Sequence, residues 1–159
     1  MRNSKIYGTA LGAVISALYI IFTLIANMFG LSSGIIQIRI SEALCILPCF
    51  TPYAIPALFI GCLISNIITG ALFLDIIFGS IATLIGAIGT YYLRKNKYIA
   101  VLPPIISNTV IIPFVLSNVY KFEGSIPYFM VTVCIGEVIS CGILGIILYN
   151  FIKKHNLIK

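Results

Sequence analysis

Between Gly8 and Ile152 the chain carries one apolar run after another, and a run of about 18 or more such residues can cross a hydrocarbon core of about 30 Å as a helix. Few folds accept that pattern. Inside lipid every backbone N–H and C=O must be satisfied within the protein, so runs of this kind form helices and not open strands. Hydrophobic residues make up 60% of the chain and charged residues 9%, against about 25% charged in a soluble domain. The expected class is an all-α integral membrane protein. Arg2 and Lys5 give the chain a basic start. The run over 9–29 nevertheless exceeds the about 7 to 15 apolar residues of a signal peptide and lacks a small-residue cleavage site, so it is expected to stay as a helix. With no internal repeat and no low-complexity linker, residues 1–159 are expected to form one membrane domain.

Breaks rich in Gly, Pro, Asn and charge place six transmembrane helices near 8–29, 35–49, 54–69, 75–93, 99–116 and 128–152. Phe50, Thr51, Pro52 and Tyr53 make a tight turn, because the residue before proline avoids helical geometry and the ring removes a donor. Helices two and three are thus an expected hairpin. Pro103, Pro104 and Pro113 fall inside the fifth segment, which is expected to bend or break.

Six crossings put both termini on one side, and basic loops identify it as the cytoplasm. Arg2, Lys5, Arg94, Lys95, Lys97, Lys153, Lys154 and Lys159 gather there, with only Arg39 and Lys121 elsewhere. The net charge of +6 therefore reads as topology and lipid contact, and no nucleic-acid partner is expected.

Polar side chains within a bilayer are expensive and face a cavity or one another. Gln37, Arg39 and Glu42 stand at the outer end of the second segment. Asn66 and Asp75 share a level near the outer ends of the third and fourth, while Asn108 and Glu137 reach deeper. The group converges on the external half and describes an outward-facing polar pocket suited to a donor-rich, planar solute, with room in its charge set for a cationic one. Other readings exist for each residue. Arg39 and Glu42, three apart, can neutralise each other on a helix face, Asp75 can cap a helix, and Asn108 can repair a proline-broken one. Glu137 is different, for no basic residue lies within a turn of it. It needs a partner across the bundle, a proton or a ligand cation. Toward the outside, Phe73, Tyr120, Tyr128 and Phe129 offer rings for stacking.

Small residues at spacing four let helices approach closely. Ala13 and Ala17 form such a pair, beside Gly12 and Ser16, and Ala82, Gly86 and Thr90 form a longer stripe; each serves either internal packing or docking of a membrane partner. The five cysteines, Cys45, Cys49, Cys62, Cys134 and Cys141, lie in apolar runs. They are expected to be small packing residues, with neither disulfide framework nor metal site. No phosphate loop, dinucleotide fingerprint or nucleophile elbow is present, so no catalytic residue and no cofactor is expected in this chain.

The stretches Gln37-Ile-Arg-Ile-Ser-Glu-Ala-Leu-Cys-Ile-Leu-Pro48, Phe50-Thr-Pro-Tyr-Ala-Ile-Pro56, Phe59-Ile-Gly-Cys-Leu-Ile-Ser-Asn66 and Asp75-Ile-Ile-Phe-Gly-Ser-Ile-Ala-Thr-Leu84 resemble the QueT family of queuosine-precursor transporters. The likeness extends more loosely over the first helix and Gly136-Glu137. That family is similar to the substrate-binding (S) components of energy-coupling factor transporters. The resemblance implies a six-helix S component capturing a 7-deazaguanine, such as prequeuosine base or queuine. It further implies a transmembrane coupling protein docked on Ala13 and Ala17 and two cytoplasmic ATPases that consume ATP. Against it stand a proton-coupled carrier titrating Glu137 and a structural or channel subunit whose polar residues only hold the bundle together.

Overall fold

A computed structural model describes residues 4–31, 38–121 and 124–158, which are helical throughout with no strand among them. The chain runs as α1 (Ser4–Met28), a 3-10 helix (Ile40–Cys49), α2 (Ala54–Ile68), α3 (Phe73–Tyr92), α4 (Lys97–Ala100), α5 (Leu102–Asn118), α6 (Ile126–Glu137), a π turn (Val138–Leu144) and α7 (Gly145–His155). Among the described residues four helical rods are long and apolar enough to cross a membrane: Lys5–Met28, Phe73–Tyr92, Lys97–Asn118 and Ile126–His155. The 3-10 helix and α2 are shorter, about 20 Å and about 22 Å by their rises per residue. Outward faces are apolar, as lipid contact requires: Val14, Leu18, Ile21 and Ile25 on α1, Ile81, Ile85 and Ile88 on α3, and Ile106, Val110 and Phe114 on α5 are all exposed.

The second segment departs from expectation. A helix over 35–49 was the reading of the sequence; the observed helix begins at Ile40 and winds as 3-10, while 35–37 lie outside the described residues. Ser41 to Pro48 are buried without exception, with α1, α3, the π turn and α7 packed around them. A run buried on all sides has no apolar period, so its sequence does not distinguish one helical winding from another. Arg39 accordingly stands at the N-cap position and Glu42 in the first turn.

The proline-rich segment over 99–116, expected to bend or break, is interrupted at Val101, and Pro103 and Pro104 sit in the first turn of α5, where a missing N–H leaves no bond unmade. Only Pro113 remains inside the helix. These prolines form the seam with α3. A Cβ added at Gly86 would lie 2.6 Å from Pro104 Cα, so only glycine admits this approach. Ser107 Oγ donates to the Ala82 carbonyl at 2.9 Å and Thr90 Oγ1 to that of Ala100 at 2.8 Å. The Ala82, Gly86, Thr90 stripe is therefore internal packing.

On α1 the two small pairs separate. Ser16 Oγ donates to the Ala57 carbonyl at 2.7 Å, and Gly12 faces Tyr53 and Ala57, so this pair seats α1 on α2. Ala13 and Ala17 are exposed on another face. At one end of the bundle Tyr53 packs on Gly8, Phe50 on Tyr149, and Lys97 Nζ donates to Asn150 Oδ1 at 2.7 Å. At the opposite end Tyr120 reaches Asp75. The described chain ends thus share the end that carries Arg94, Lys95 and Lys97.

Candidate functional site

The chain arrives at the site from two loops. Asn66 is two residues from the end of α2 and Asp75 two after the start of α3, so both stand near the Tyr120 end of the bundle. Asp75 does not cap its helix, because the N-cap is Leu72 and no side chain bonds there. Its Oδ2 instead accepts from Tyr120 Oη at 2.8 Å, and the same phenol oxygen accepts from Leu72 N–H at 3.3 Å. A Cβ at Gly79 would lie 3.2 Å from Asn66 Nδ2 and 3.5 Å from Asp75 Oδ1. Glycine there keeps the space between them open.

Deeper in the bundle Glu42 is fully buried. Its carboxylate accepts from the Tyr19 hydroxyl, from Cys45 Sγ at 2.9 Å and from Thr83 Oγ1 at 3.3 Å. The alternative of a simple Arg39–Glu42 surface pair on one helix face does not describe this inward-turned group. Cys141 in the π turn donates to Glu137 Oε2 at 3.2 Å and lies 3.4 Å from the Glu42 carbonyl. Asn66, Cys62 and Thr83 complete the line, with Asn66 Nδ2 at 3.6 Å and Thr83 Oγ1 at 3.4 Å from Cys62 Sγ. One polar thread therefore runs from Asp75 to Glu137 through an otherwise apolar interior.

The thread meets the surface at a narrow opening lined by Arg39, Ile112, Val133 and Glu137. Phe129 packs with Ile112 and Val133 in the wall behind it. Glu137 ends α6, about 16 Å along the helix from Ile126, and Asn108 lies about 15 Å along α5 from Asn118. The α5–α6 connection thus brings both to one depth. Asn108 is 1% exposed; its carboxamide interacts with the Glu137 carboxylate, but neither Nδ2 nor Oδ1 makes a hydrogen bond of ordinary length. Buried polar groups are nearly always paired, and an orphan calls for an explanation. Ser140 Oγ, three residues past Glu137, is also buried and unpaired. A π turn leaves the regular bond ladder and is found frequently at functional sites.

Of the residues expected from sequence, Arg39 and Glu137 line the opening, with Asn108 beside Glu137; Asn66, Asp75 and Glu42 lie along the thread; Gln37 lies outside the described residues. Phe73, at 73% exposed, and Tyr128 are turned outward. Sequence reasoning missed Tyr19, Thr83, Ser140 and the two cysteines. Tyr19 alone carried a signal, for a phenol in the middle of an apolar run needs a partner for its hydroxyl.

A family model described as QueT transporter matches residues 9–154. A curated relative from Lactococcus lactis subsp. cremoris (strain MG1363), described as "Queuosine precursor transporter QueT", is 38% identical over 85 residues. That match covers 54% of this chain and 50% of the relative, so it spans about half the length of that protein. No solved structure matches this chain.

Proposed function

Because the chain belongs to the QueT transporter family, a family of transport proteins and not of enzymes, we propose that it is the substrate-capture component of an energy-coupling factor uptake system. It binds a 7-deazaguanine queuosine precursor, prequeuosine base or queuine, in its outward-facing opening. The observation that supports this reading is the Asn108 carboxamide, buried beside Glu137 and making no hydrogen bond of ordinary length.

A deazaguanine presents adjacent ring and amino N–H donors and one carbonyl. Glu137 takes the donor edge, and Arg39 or Asn108 donates to the carbonyl, a division of labour that follows from their inventories of donors and acceptors. Asp75, with Asn66 beside it, receives an aminomethyl ammonium. Glu42 is the less direct contact, because Tyr19, Cys45 and Thr83 already occupy its oxygens; it acts from behind Glu137. Gln37 is retained as a contact from the outer end of the chain's second segment.

In this reading the chain crosses the membrane six times with both termini cytoplasmic. The exposed Ala13 and Ala17 dock a transmembrane coupling protein, and two cytoplasmic ATPases bound to that protein hydrolyse ATP. The test is calorimetry on the purified chain with aminomethyl-deazaguanine, guanine and thiamine, alongside Glu137→Gln. A hydrogen bond to a charged group contributes about 1.5–3 kcal/mol, so the substitution should weaken the deazaguanine by about 10- to 150-fold. Failure of well-folded protein to bind any base would remove the assignment and favour a carrier or structural subunit.

A further inference from the structure

The 3-10 winding of Ile40–Cys49 changes what the cysteines can do. In a 3-10 helix the side chains at i and i+3 eclipse, so Glu42 and Cys45 stack on one side. Cys49, four residues from Cys45, turns away and is half-buried. The π turn brings Cys141 against that stack from a distant part of the chain. The ligating atoms of Glu42, Cys45 and Cys141 lie within 4.8 Å of one another and all three residues are buried. Glu137 Oε2 stands 3.2 Å from Cys141 Sγ.

We propose that Glu42, Cys45 and Cys141 hold a divalent transition-metal ion of the zinc class. Zinc–sulfur bonds of about 2.3 Å and zinc–oxygen bonds of about 2.0–2.2 Å set tetrahedral ligand atoms about 3.3–3.8 Å apart. The three ligand atoms, all within 4.8 Å of one another, reach that spacing by side-chain rotation. Two thiolates beside carboxylates select zinc or cadmium over calcium or magnesium, which take oxygen ligands alone. Binding replaces the S–H proton of each cysteine with a metal–sulfur bond, and those protons leave for solvent through the opening.

The ion joins the 3-10 helix to the π turn. The proposal does not depend on which solute the opening takes, and its test uses none. Cadmium is titrated into the full-length, reduced, detergent-purified chain while the ultraviolet thiolate-to-metal charge-transfer band and released protons are followed. About one ion per chain should bind, with about one proton released per thiol. The band should be lost in Cys45→Ser and Cys141→Ser and kept in Cys49→Ser and Cys134→Ser, all four showing the wild-type helical circular dichroism and a single elution peak. Absence of the band in wild type, or its persistence in both Cys45→Ser and Cys141→Ser, would overturn the site.

Discussion

Replacing Asn108 by leucine should make the ligand-free protein more stable and the ligand-bound protein weaker. Asn108 is 1% exposed and neither polar atom of its carboxamide makes a hydrogen bond of ordinary length. A buried polar group in that state costs about 1–3 kcal/mol. Leucine keeps the branching and the number of side-chain heavy atoms while removing every donor and acceptor. The ligand-free fold then gains about 1–3 kcal/mol, and for a chain of 150–250 residues each kcal/mol moves the melting temperature by about 2–4 °C. A rise of about 2–12 °C is expected. Binding moves oppositely. One lost hydrogen bond at about 0.5–1.5 kcal/mol weakens aminomethyl-deazaguanine by about 2- to 12-fold. The assay is size-exclusion thermostability with and without the base, since the chain has no Trp to follow. In wild type, base at a hundred times its Kd adds about 2.7 kcal/mol; at that same concentration the variant should lose about 0.5–1.5 kcal/mol of that gain. A variant that is less stable and binds normally would refute the reasoning, for Asn108 would then be satisfied within the fold.

Other outcomes follow from the packing. Gly86→Ala pushes a Cβ to 2.6 Å from the Pro104 backbone, where no flexible side chain can yield, and should cost about 1–3 kcal/mol of stability by overpacking; an unchanged melting temperature would mean that α5 slides freely along α3. Tyr19→Phe removes one donor from the buried Glu42 carboxylate and should destabilise the ligand-free chain by about 1–3 kcal/mol; a neutral result in the same thermostability assay would show that the remaining donors suffice. Tryptophan at Ala13 and Ala17, both exposed, should leave base binding by the isolated chain intact and abolish uptake in cells carrying the coupling module. Persistent uptake would place the docking face elsewhere.

Much of the site was legible in the chain because polar groups in apolar runs announce themselves. Arg39, Asn66, Asp75, Asn108 and Glu137 stand out against their neighbours, and counting residues from the turns gives their depths. Glu42 stood out equally, but its partners did not. Tyr19, Thr83, Cys45 and Cys141 are ordinary components of membrane helices, and nothing local to each shows that they meet.

The sequence by itself determined that the protein lives in a membrane, that its elements are helices, where most of them turn, and which family it resembles. Those follow from local quantities: run length, hydropathy, and the backbone restrictions imposed by proline and glycine. Tertiary structure alone decided that the central segment winds as 3-10, that a π turn interrupts the last rod after Glu137, and that Ala13 and Ala17 face outward while Gly12 and Ser16 face α2. The physical reason is common to all three. A segment enclosed by apolar neighbours, whether protein or lipid, has no polar face to set its period, so its winding and orientation are fixed by contacts between helices far apart in the chain.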